Sequence, residues 1–316
     1  MKTAPKRELP QILSERQREE YDRFGPWAYP VRSRDEMPPR FDPWYEELKD
    51  STLIIKLPRE IERREAKPGS DLYVKLLAVG KEGIIHLSLT RDGISRQDFS
   101  FDRIAALRLA QELLHGELRI DLASGKNVVI LFNTVSADLI EGFIDAVRAG
   151  RALGLSQKGP RLSPARRAPE PEDENILFKN LLVALRERID GLTLMAYQPP
   201  RALAGSKGGQ SGLGGVLARL LRWKLDGCLV AGTASELVLL VRGTGMPRLG
   251  KSKGYRYEEI YLSAHAIGGV SVEPRTLANG LPFFALRIKV EGCDYELLFE
   301  DDPSFLVEEL SARAST

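Results

Sequence analysis

The chain has 316 residues, and its 46 Lys and Arg residues nearly balance its 44 Asp and Glu residues, so the formal net charge at pH 7 is +2. This length accommodates two domains of roughly 100–150 residues each. The small net charge argues against nucleic acid as a partner, and any attraction to an anionic surface must come from local patches. No run of about 18 apolar residues is present, so we expect no transmembrane segment.

The N-terminus and the cysteines indicate the compartment. The first residues, MKTAPKRELPQILSERQ, lack the apolar core of a signal peptide. Cys228 and Cys293 are the only cysteines, and both lie in apolar, strand-like segments. Such cysteines are typical of buried free thiols in a reducing compartment. We therefore expect a cytoplasmic protein, with peripheral attachment at the inner face of the membrane as the alternative.

Residues 1–48 are predicted to form an extended N-terminal arm. Residues 1–20 are charged and interrupted by proline, which predicts partial disorder. Seven aromatic residues alternate with five prolines over residues 21–48. Because so many aromatic side chains are costly to leave in water, we expect this part to dock on the first domain, and binding of a partner is the alternative.

The first predicted domain covers residues 49–154. A short helix is predicted over residues 71–79 (DLYVKLLAV). Strands are predicted at residues 84–90, 94–101, 106–114, 117–123 and 126–132. Asp92-Gly93 favours a tight hairpin turn, because this dipeptide tolerates a positive φ. An amphipathic helix starts at Ser136 and closes the domain.

A linker is predicted over residues 155–175, where proline, serine and segregated charges favour a solvated spacer. The second predicted domain covers residues 176–316. Its predicted elements are helices at 176–190 and 216–225, strands at 236–241 and within 259–273, and a hairpin at 284–299. Asp302-Pro303 predicts the start of a last helix, with an N-cap followed by proline at the first helical position.

An internal repeat links the two domains. Leu118-Arg119-Ile120 opens a strand, a glycine turn, a second strand and a helix, and Leu286-Arg287-Ile288 opens the same series again. A further match lies upstream, where residues 104–109 (IAALRL) correspond to residues 267–272 (IGGVSV). The repeat predicts that one supersecondary unit occurs twice.

This arrangement resembles the pleckstrin-homology-like (PH-like) fold of bacterial proteins over residues 51–150 and 178–313. The resemblance implies an α+β, mainly antiparallel fold with two PH-like bent β-barrels, each closed by a C-terminal amphipathic helix. Members of this family mostly act as adaptors that bind membranes, peptides or other subunits. The pattern of the phosphoinositide-binding members, Lys…Lys/Arg-x-Arg, is not matched, because Lys253 and Arg256 are one residue too far apart.

The first candidate site is a basic loop. In the second repeat, the connection between the strands of the first hairpin is about fourteen residues long, 243–256. The first repeat makes the same connection with Asp92-Gly93 alone. The cationic residues of this loop and its base are Arg242, Arg248, Lys251, Lys253 and Arg256. Such a loop can gather phosphate or acidic peptide by electrostatics. A solvated flexible loop is the alternative interpretation.

The second candidate is the predicted helix 216–225, whose sequence is VLARLLRWKL. Its candidate surface residues are Arg219, Arg222, Trp223 and Lys224. A basic amphipathic helix with Trp can lie on an anionic membrane surface. The same pattern also suits a helix that packs on the sheet while its Arg side chains reach outward.

The sequence predicts no catalytic residue, no metal and no cofactor. His86, His115 and His265 are the only histidines, and none is spaced from Cys or another His as metal ligands are. His-Glu-x-x-His is missing from the sequence, and the one Gly-x-Ser-x-Gly match, residues 250–254 (GKSKG), lies in the basic loop and not in a predicted strand-turn-helix elbow. An enzyme whose residues lie on scattered loops stays an alternative.

The sequence therefore predicts a non-enzymatic binding or adaptor protein. Its PH-like barrels would present the basic loop to an acidic protein partner or to an anionic membrane surface. Two alternatives stay open: an enzyme with a site in the cleft between the two domains, and a self-assembling structural subunit, a homo-oligomer whose strand edges pair with those of its own copies.

Overall fold

The computed structural model describes residues 14–61, 63–155, 162, 168–202, 223–243, 248–249, 256–277 and 282–311. Every strand pairing recorded in these residues is antiparallel, which confirms the predicted α+β, mainly antiparallel class. The described strands form four sheets, and no closed barrel is found among them.

The chain divides into two compact units. Unit 1 is formed by Met1–Phe99 and Val135–Val147, and unit 2 by Ser100–Thr134 and Arg148–Thr316. This division differs from the predicted domains, residues 49–154 and 176–316, because strands from both predicted domains share one sheet in unit 2.

Unit 1 is built on a five-stranded sheet whose spatial order follows the chain. Its strands are β1 (Tyr29–Pro30), β2 (Leu53–Pro58), β3 (Tyr73–Val79), β4 (Gly83–Thr90) and β5 (Gly93–Ser100), of which Ser100 belongs to unit 2. The prediction of a helix over residues 71–79 was wrong, because β3 pairs with β2 on one side and β4 on the other. A central strand buried on both faces reads as a continuous apolar run, and short runs of this kind do not separate helix from strand.

The described part of the N-terminal arm, residues 14–48, packs on this sheet. It includes helix α1 (Glu15–Arg23), which begins with a capping box between Ser14 and Gln17, so this part of the arm is not extended. Helix α2 (Tyr45–Leu48) ends the arm. Phe41 and Leu48 are fully buried in one cluster with strand residues of the sheet, as the aromatic content of the arm predicts.

The central feature of unit 2 is a seven-stranded sheet. Its strands are β6 (Ile104–Glu112), β7 (His115–Leu122), β8 (Asn127–Asn133), β9 (Thr193–Gln198), β12 (Cys228–Gly232), β13 (Glu236–Arg242) and β15 (Tyr257–Ser263). They lie in the order β8-β7-β6-β15-β13-β12-β9. Tyr257 lies opposite Gln111 and Leu262 opposite Ala106. Both edges of β6 are thus occupied within this sheet, by β7 and by β15.

A second sheet of unit 2 contains three strands that correspond to β6, β7 and β8. It consists of β16 (Ile267–Thr276), β17 (Pro282–Val290) and β18 (Cys293–Phe299), followed by helix α5 (Phe305–Ser311). The first copy is β6-β7-β8 followed by helix α3 (Ala137–Leu155). A short 3-10 helix precedes each copy, at Phe101–Arg103 and Ala264–Ala266. The predicted repeat of three strands and a helix is therefore confirmed.

Two further predictions for unit 2 concern helices. Helix α4 (Ile176–Arg188) agrees with the predicted helix 176–190 and buries Phe178, Leu182 and Leu185. Near the start of α5, the Ser304 N–H donates a hydrogen bond to Asp302 Oδ1 at 2.9 Å, as expected for a residue that satisfies the free N–H groups of a helix start.

The last sheet is small and lies where part of a helix was predicted. It consists of β10 (Arg201–Ala202), β11 (Trp223–Leu225) and β14 (Arg248–Leu249), in the order β10-β11-β14. The predicted helix 216–225 was therefore wrong at its last three residues, which form β11. Residues 216–222 lie outside the described part of the chain.

Candidate functional site

Strands β10, β11 and β14 form a three-stranded sheet that we call the basic ribbon. Lys224 lies opposite Ala202 on one side and opposite Arg248 on the other, and Trp223 lies opposite Leu249. Directly opposed residues of an antiparallel pair have Cβ atoms about 4.5–5.5 Å apart. The ribbon therefore joins the two basic segments that the sequence singled out separately.

The base of the basic loop closes in the same unit. Arg242 is the last residue of β13 and lies opposite Tyr257 of β15. The Gly243 N–H donates to the Arg256 carbonyl at 2.9 Å, so Arg242 and Arg256 flank the point where the loop leaves the sheet. Four other predicted site residues lie outside the described part of the chain: Arg219, Arg222, Lys251 and Lys253.

An acidic side chain that the sequence patterns did not indicate lies at the start of the loop. Gly243 has a φ of +74°, and a Cβ at this position would lie 2.2 Å from Oδ2 of Asp226. Asp226 follows β11 directly in the chain. Its carboxylate therefore packs against the loop base, and only glycine fits there. The signal in the sequence was the Asp226-Gly227 dipeptide, a turn former that follows the basic segment.

Glu300, Asp301 and Asp302 are three consecutive acidic residues after β18, and Glu300 and Asp302 have structural roles. Arg201 of β10 forms a 2.8 Å ion pair with Glu300, and the backbone N–H of Glu300 donates to Gln198 Oε1 at 2.8 Å. Asp302 accepts hydrogen bonds at the start of α5. These acids therefore anchor one edge of the basic ribbon and one helix end.

The cavities of unit 2 include two that described residues line. One, of about 20 Å³, borders the ribbon base at Leu225, Asp226, Cys228 and Arg242, and has room for about one water molecule. The other, of about 350 Å³, is lined in the described part of the chain by Ala168, Glu170, Arg186, Leu192, Thr193 and Leu194. Glu170 and Arg186 pair with each other there at 2.8 and 3.1 Å, so their charges are mutually neutralised.

A polar network crosses the β6–β15 junction on one face of the large sheet. Arg108 of β6 pairs with Glu258 of β15 at 2.6 Å and lies 3.9 Å from Asp121 of β7. The Tyr295 hydroxyl donates to Asp121 Oδ2 at 2.8 Å, and the Arg108 guanidinium lies 5.6 Å from the centre of the Tyr295 ring. The network thus connects β6, β7, β15 and β18.

A second network lies on the next residues of β15. The Tyr261 hydroxyl donates to the Glu259 carboxylate, which also lies 3.6 Å from Arg188 of α4. Arg148 of α3 pairs with Glu236 of β13, with Nε 2.9 Å from Oε2, and stacks 5.2 Å from the Tyr261 ring centre. Nearby on α3, burial lowers the pKa of the Arg151 guanidinium to about 10. The helices α3 and α4 are thus tied to the sheet by charged groups.

The surroundings of both thiols disfavour the thiolate form. Burial raises the pKa of Cys228, and burial also raises the pKa of Cys293, whose sulfur lies 3.4 Å from the Tyr295 hydroxyl. A thiol with a raised pKa carries little of the reactive thiolate at neutral pH. Among the described residues, no group of three or more His, Cys, Asp or Glu side chains could hold a metal ion.

Within the described helices, none is both long and apolar enough to cross a membrane. Comparison of the chain with known protein families, with curated proteins and with solved structures finds no match. Function must therefore be inferred from the arrangement of the residues themselves.

Proposed function

We propose that this chain is a non-enzymatic binding or adaptor protein whose basic ribbon and adjoining loop dock on an anionic surface. The observation that carries the proposal is the β11–β14 register, in which Lys224 lies opposite Arg248. Two basic segments that are separate in the sequence thereby become one structural element. A concentrated set of cations is attracted by an acidic protein partner or by anionic lipid headgroups.

The charge of the two segments supports the proposal. Residues 242–256 contain five Lys or Arg residues and no acid, and residues 216–225 contain three and no acid. Each Lys or Arg near an anionic membrane surface contributes roughly 1 kcal/mol of attraction, which salt screens. The chain as a whole is almost neutral, so this attraction is local to the ribbon and loop. A cytoplasmic protein held peripherally at the inner face of the membrane fits this chemistry.

The PH-like assignment is part of the same proposal. It is supported by the two copies of three antiparallel strands followed by a helix, β6-β7-β8-α3 and β16-β17-β18-α5. In the chain, strands β1 to β5 precede the first copy, and strands β9 to β15 precede the second.

Co-sedimentation with lipid vesicles tests the membrane form of the proposal. We expect the protein to pellet with vesicles that contain phosphatidylserine at low salt, and to be released at high salt. Replacing Lys224, Arg248, Lys251 and Lys253 with Gln should abolish pelleting. A matched control replaces four exposed cations elsewhere, Lys67, Lys81, Arg91 and Lys126, with Gln and should pellet like the wild-type protein.

The acidic-protein form needs a separate arm. If the wild-type protein does not pellet with anionic vesicles in low salt, the membrane form is wrong. Binding to immobilised poly-glutamate, lost in the ribbon variant and kept in the control variant, would then support an acidic protein partner. Failure of the wild-type protein to bind either surface would overturn the proposed function.

A further inference from the structure

Strand β8 is the outermost described strand of the seven-stranded sheet, and it lacks the features that protect edge strands. Its sequence, NVVILFN, contains no charged residue and no proline. Natural edge strands commonly carry such residues, because an unprotected edge pairs with other strands. Val129 and Leu131 point to the same face of β8 and are 38% and 50% exposed.

At the opposite end of the seven-stranded sheet, the edge strand is partly covered by the chain. At the edge strand β9, the Ala168 N–H donates to the Leu194 carbonyl at 3.0 Å, so the chain itself covers part of that edge. From Asn127 to Phe132, no comparable backbone hydrogen bond joins β8 to described residues other than those of its neighbour β7 and of the turn between them. The two edges therefore differ in how far the chain covers them.

The exposed apolar surface extends beyond β8 to the β6–β7 turn. Leu113 and Leu114 are 69% and 61% exposed, and Thr134, which follows β8, donates hydrogen bonds to both of their carbonyls. Leu113 has a φ of +51°, a conformation that costs a leucine about 1 kcal/mol or more and that glycine or asparagine adopts easily. Because glycine or asparagine would avoid this strain, a leucine at this exposed position indicates that its side chain contacts a partner.

The sequence of β8 is also self-complementary. In an antiparallel pair of two β8 strands centred on Ile130, Val129 would lie opposite Leu131 of the partner subunit. Because a two-fold axis perpendicular to the sheet keeps equivalent faces on the same side, both exposed apolar pairs would meet on one face. The absence of charge on β8 means that no like charges would oppose each other in this pair.

We propose that two copies of this chain associate through β8, in antiparallel register centred on Ile130, to form one continuous sheet. The two-fold arrangement closes on itself, so the product is a dimer and not a filament. The backbone hydrogen bonds across β8 supply pairing, and Val129 and Leu131 of each copy supply the apolar contact. This surface shares no residue with the basic ribbon, so either proposal can fail alone.

Light scattering coupled to size-exclusion chromatography tests the association. We expect a dimer at high micromolar concentration, and a double variant Val129→Lys/Leu131→Lys that is monomeric, with its dissociation constant raised about tenfold or more. The control Ile176→Lys/Val183→Lys changes two exposed apolar residues of α4 and should leave the dimer unchanged. Equal circular dichroism spectra and melting temperatures would show that both variants fold.

Disulfide trapping tests the register. In a background with Cys228→Ala and Cys293→Ala, a mixture of Val129→Cys and Leu131→Cys chains should give a disulfide-linked heterodimer under mild oxidation. Either variant alone should cross-link far less, because identical positions lie diagonally in this register. A wild-type monomer at high concentration, a dimer that survives the lysine substitutions, or equal cross-linking in all samples would overturn the proposal.

Discussion

Arg108 and Glu258, which are 150 residues apart in the chain, form an ion pair with 2.6 Å between guanidinium and carboxylate. Their strands, β6 and β15, are neighbours in the middle of the seven-stranded sheet. The Arg108 side chain is 25% exposed and that of Glu258 is 12% exposed, so water screens this pair only in part. The pair therefore stabilises the junction between the first copy of the repeat and the strands that precede the second.

Replacing Arg108 with Gln should destabilise the protein, because it leaves Glu258 and Asp121 partly buried without their cation. We expect a loss of about 1–3 kcal/mol in the free energy of unfolding, measured by urea denaturation. The double variant Arg108→Gln/Glu258→Gln should lose less than the sum of the two single variants.

A control for this prediction lies one strand away. Arg119 of β7 pairs with Glu117 of the same strand at 3.2 Å and is more exposed. Arg119→Gln should cost no more than about 0.5 kcal/mol. Equal losses for Arg108→Gln and Arg119→Gln would show that the junction pair has no special importance for stability.

Glycine turns from the two copies of the repeat contact each other. A Cβ at Gly292, whose φ is +80°, would lie 2.5 Å from the Leu122 carbonyl oxygen and 2.6 Å from the Gly125 nitrogen. Gly292→Ala should therefore lower the free energy of unfolding by about 2 kcal/mol or more, since it combines an unfavourable φ with a backbone clash.

Gly191 is the matched control for this substitution. It has a similar φ of +72°, and a Cβ there would have no neighbour within 4 Å. Gly191→Ala should cost only the conformational strain, about 1 kcal/mol. Urea denaturation of both variants gives the comparison, and a Gly292→Ala loss no larger than that of Gly191→Ala would contradict the contact between the two turns.

Glu20 should contribute more to the stability of unit 1 in mild acid than in mild alkali. Burial raises the pKa of this carboxyl on α1 to about 7, against an ordinary value of 4.5. Between these two values the folded chain holds a proton on Glu20 that the unfolded chain has lost, so this group's contribution to the free energy of unfolding falls as the pH rises. Glu20→Gln should reduce the loss of stability between pH 5 and pH 8.

The measurement is urea denaturation at both pH values, followed by a signal from unit 1. Burial lowers the pKa of His86 in the same unit, which favours folding at higher pH, but this contribution is common to both proteins and cancels in the comparison. Glu19→Gln changes an exposed neighbour on α1 and is the control. The same pH dependence in Glu20→Gln and in the wild-type protein would contradict the prediction.

Both thiols should react slowly in the folded protein. Because burial raises the pKa of Cys228 and of Cys293, we expect reaction with Ellman's reagent at neutral pH to be about tenfold or more slower than after denaturation. Denaturation should release two thiols per chain. Rapid reaction of one thiol in the folded protein would point to an activated cysteine and favour the enzyme alternative.

Local patterns predicted much of the fold. The alternating strand β7, the apolar strand β8 that follows its glycine turn, the helices α3 and α4 and the repeat itself follow from periodicity and turn residues. Strand β3 was missed because a strand buried on both faces has no alternation to detect. The β6–β15 pairing was missed because it connects distant segments, and no local pattern specifies which strand edges meet.

The candidate site was predicted only in part. The basic residues were visible as charge runs, but the β11–β14 pairing that joins Lys224 to Arg248 depends on tertiary structure. The junction network had a weak signal in the sequence. Arg108 interrupts the apolar run IAALRLA, and Glu258 and Glu259 lie in an otherwise apolar strand. Charges at such positions are costly unless they are paired, so they indicate partners without naming them.

The basic ribbon is central to the proposed function, and a disulfide between β11 and β14 tests it most directly. In a background with Cys228→Ala and Cys293→Ala, we expect Lys224→Cys/Arg248→Cys to form an intramolecular disulfide under mild oxidation, because these residues lie directly opposite each other. The single variants should form none. Failure of the double variant to cross-link, in a protein that is otherwise folded, would contradict the arrangement on which the proposed anionic docking surface depends.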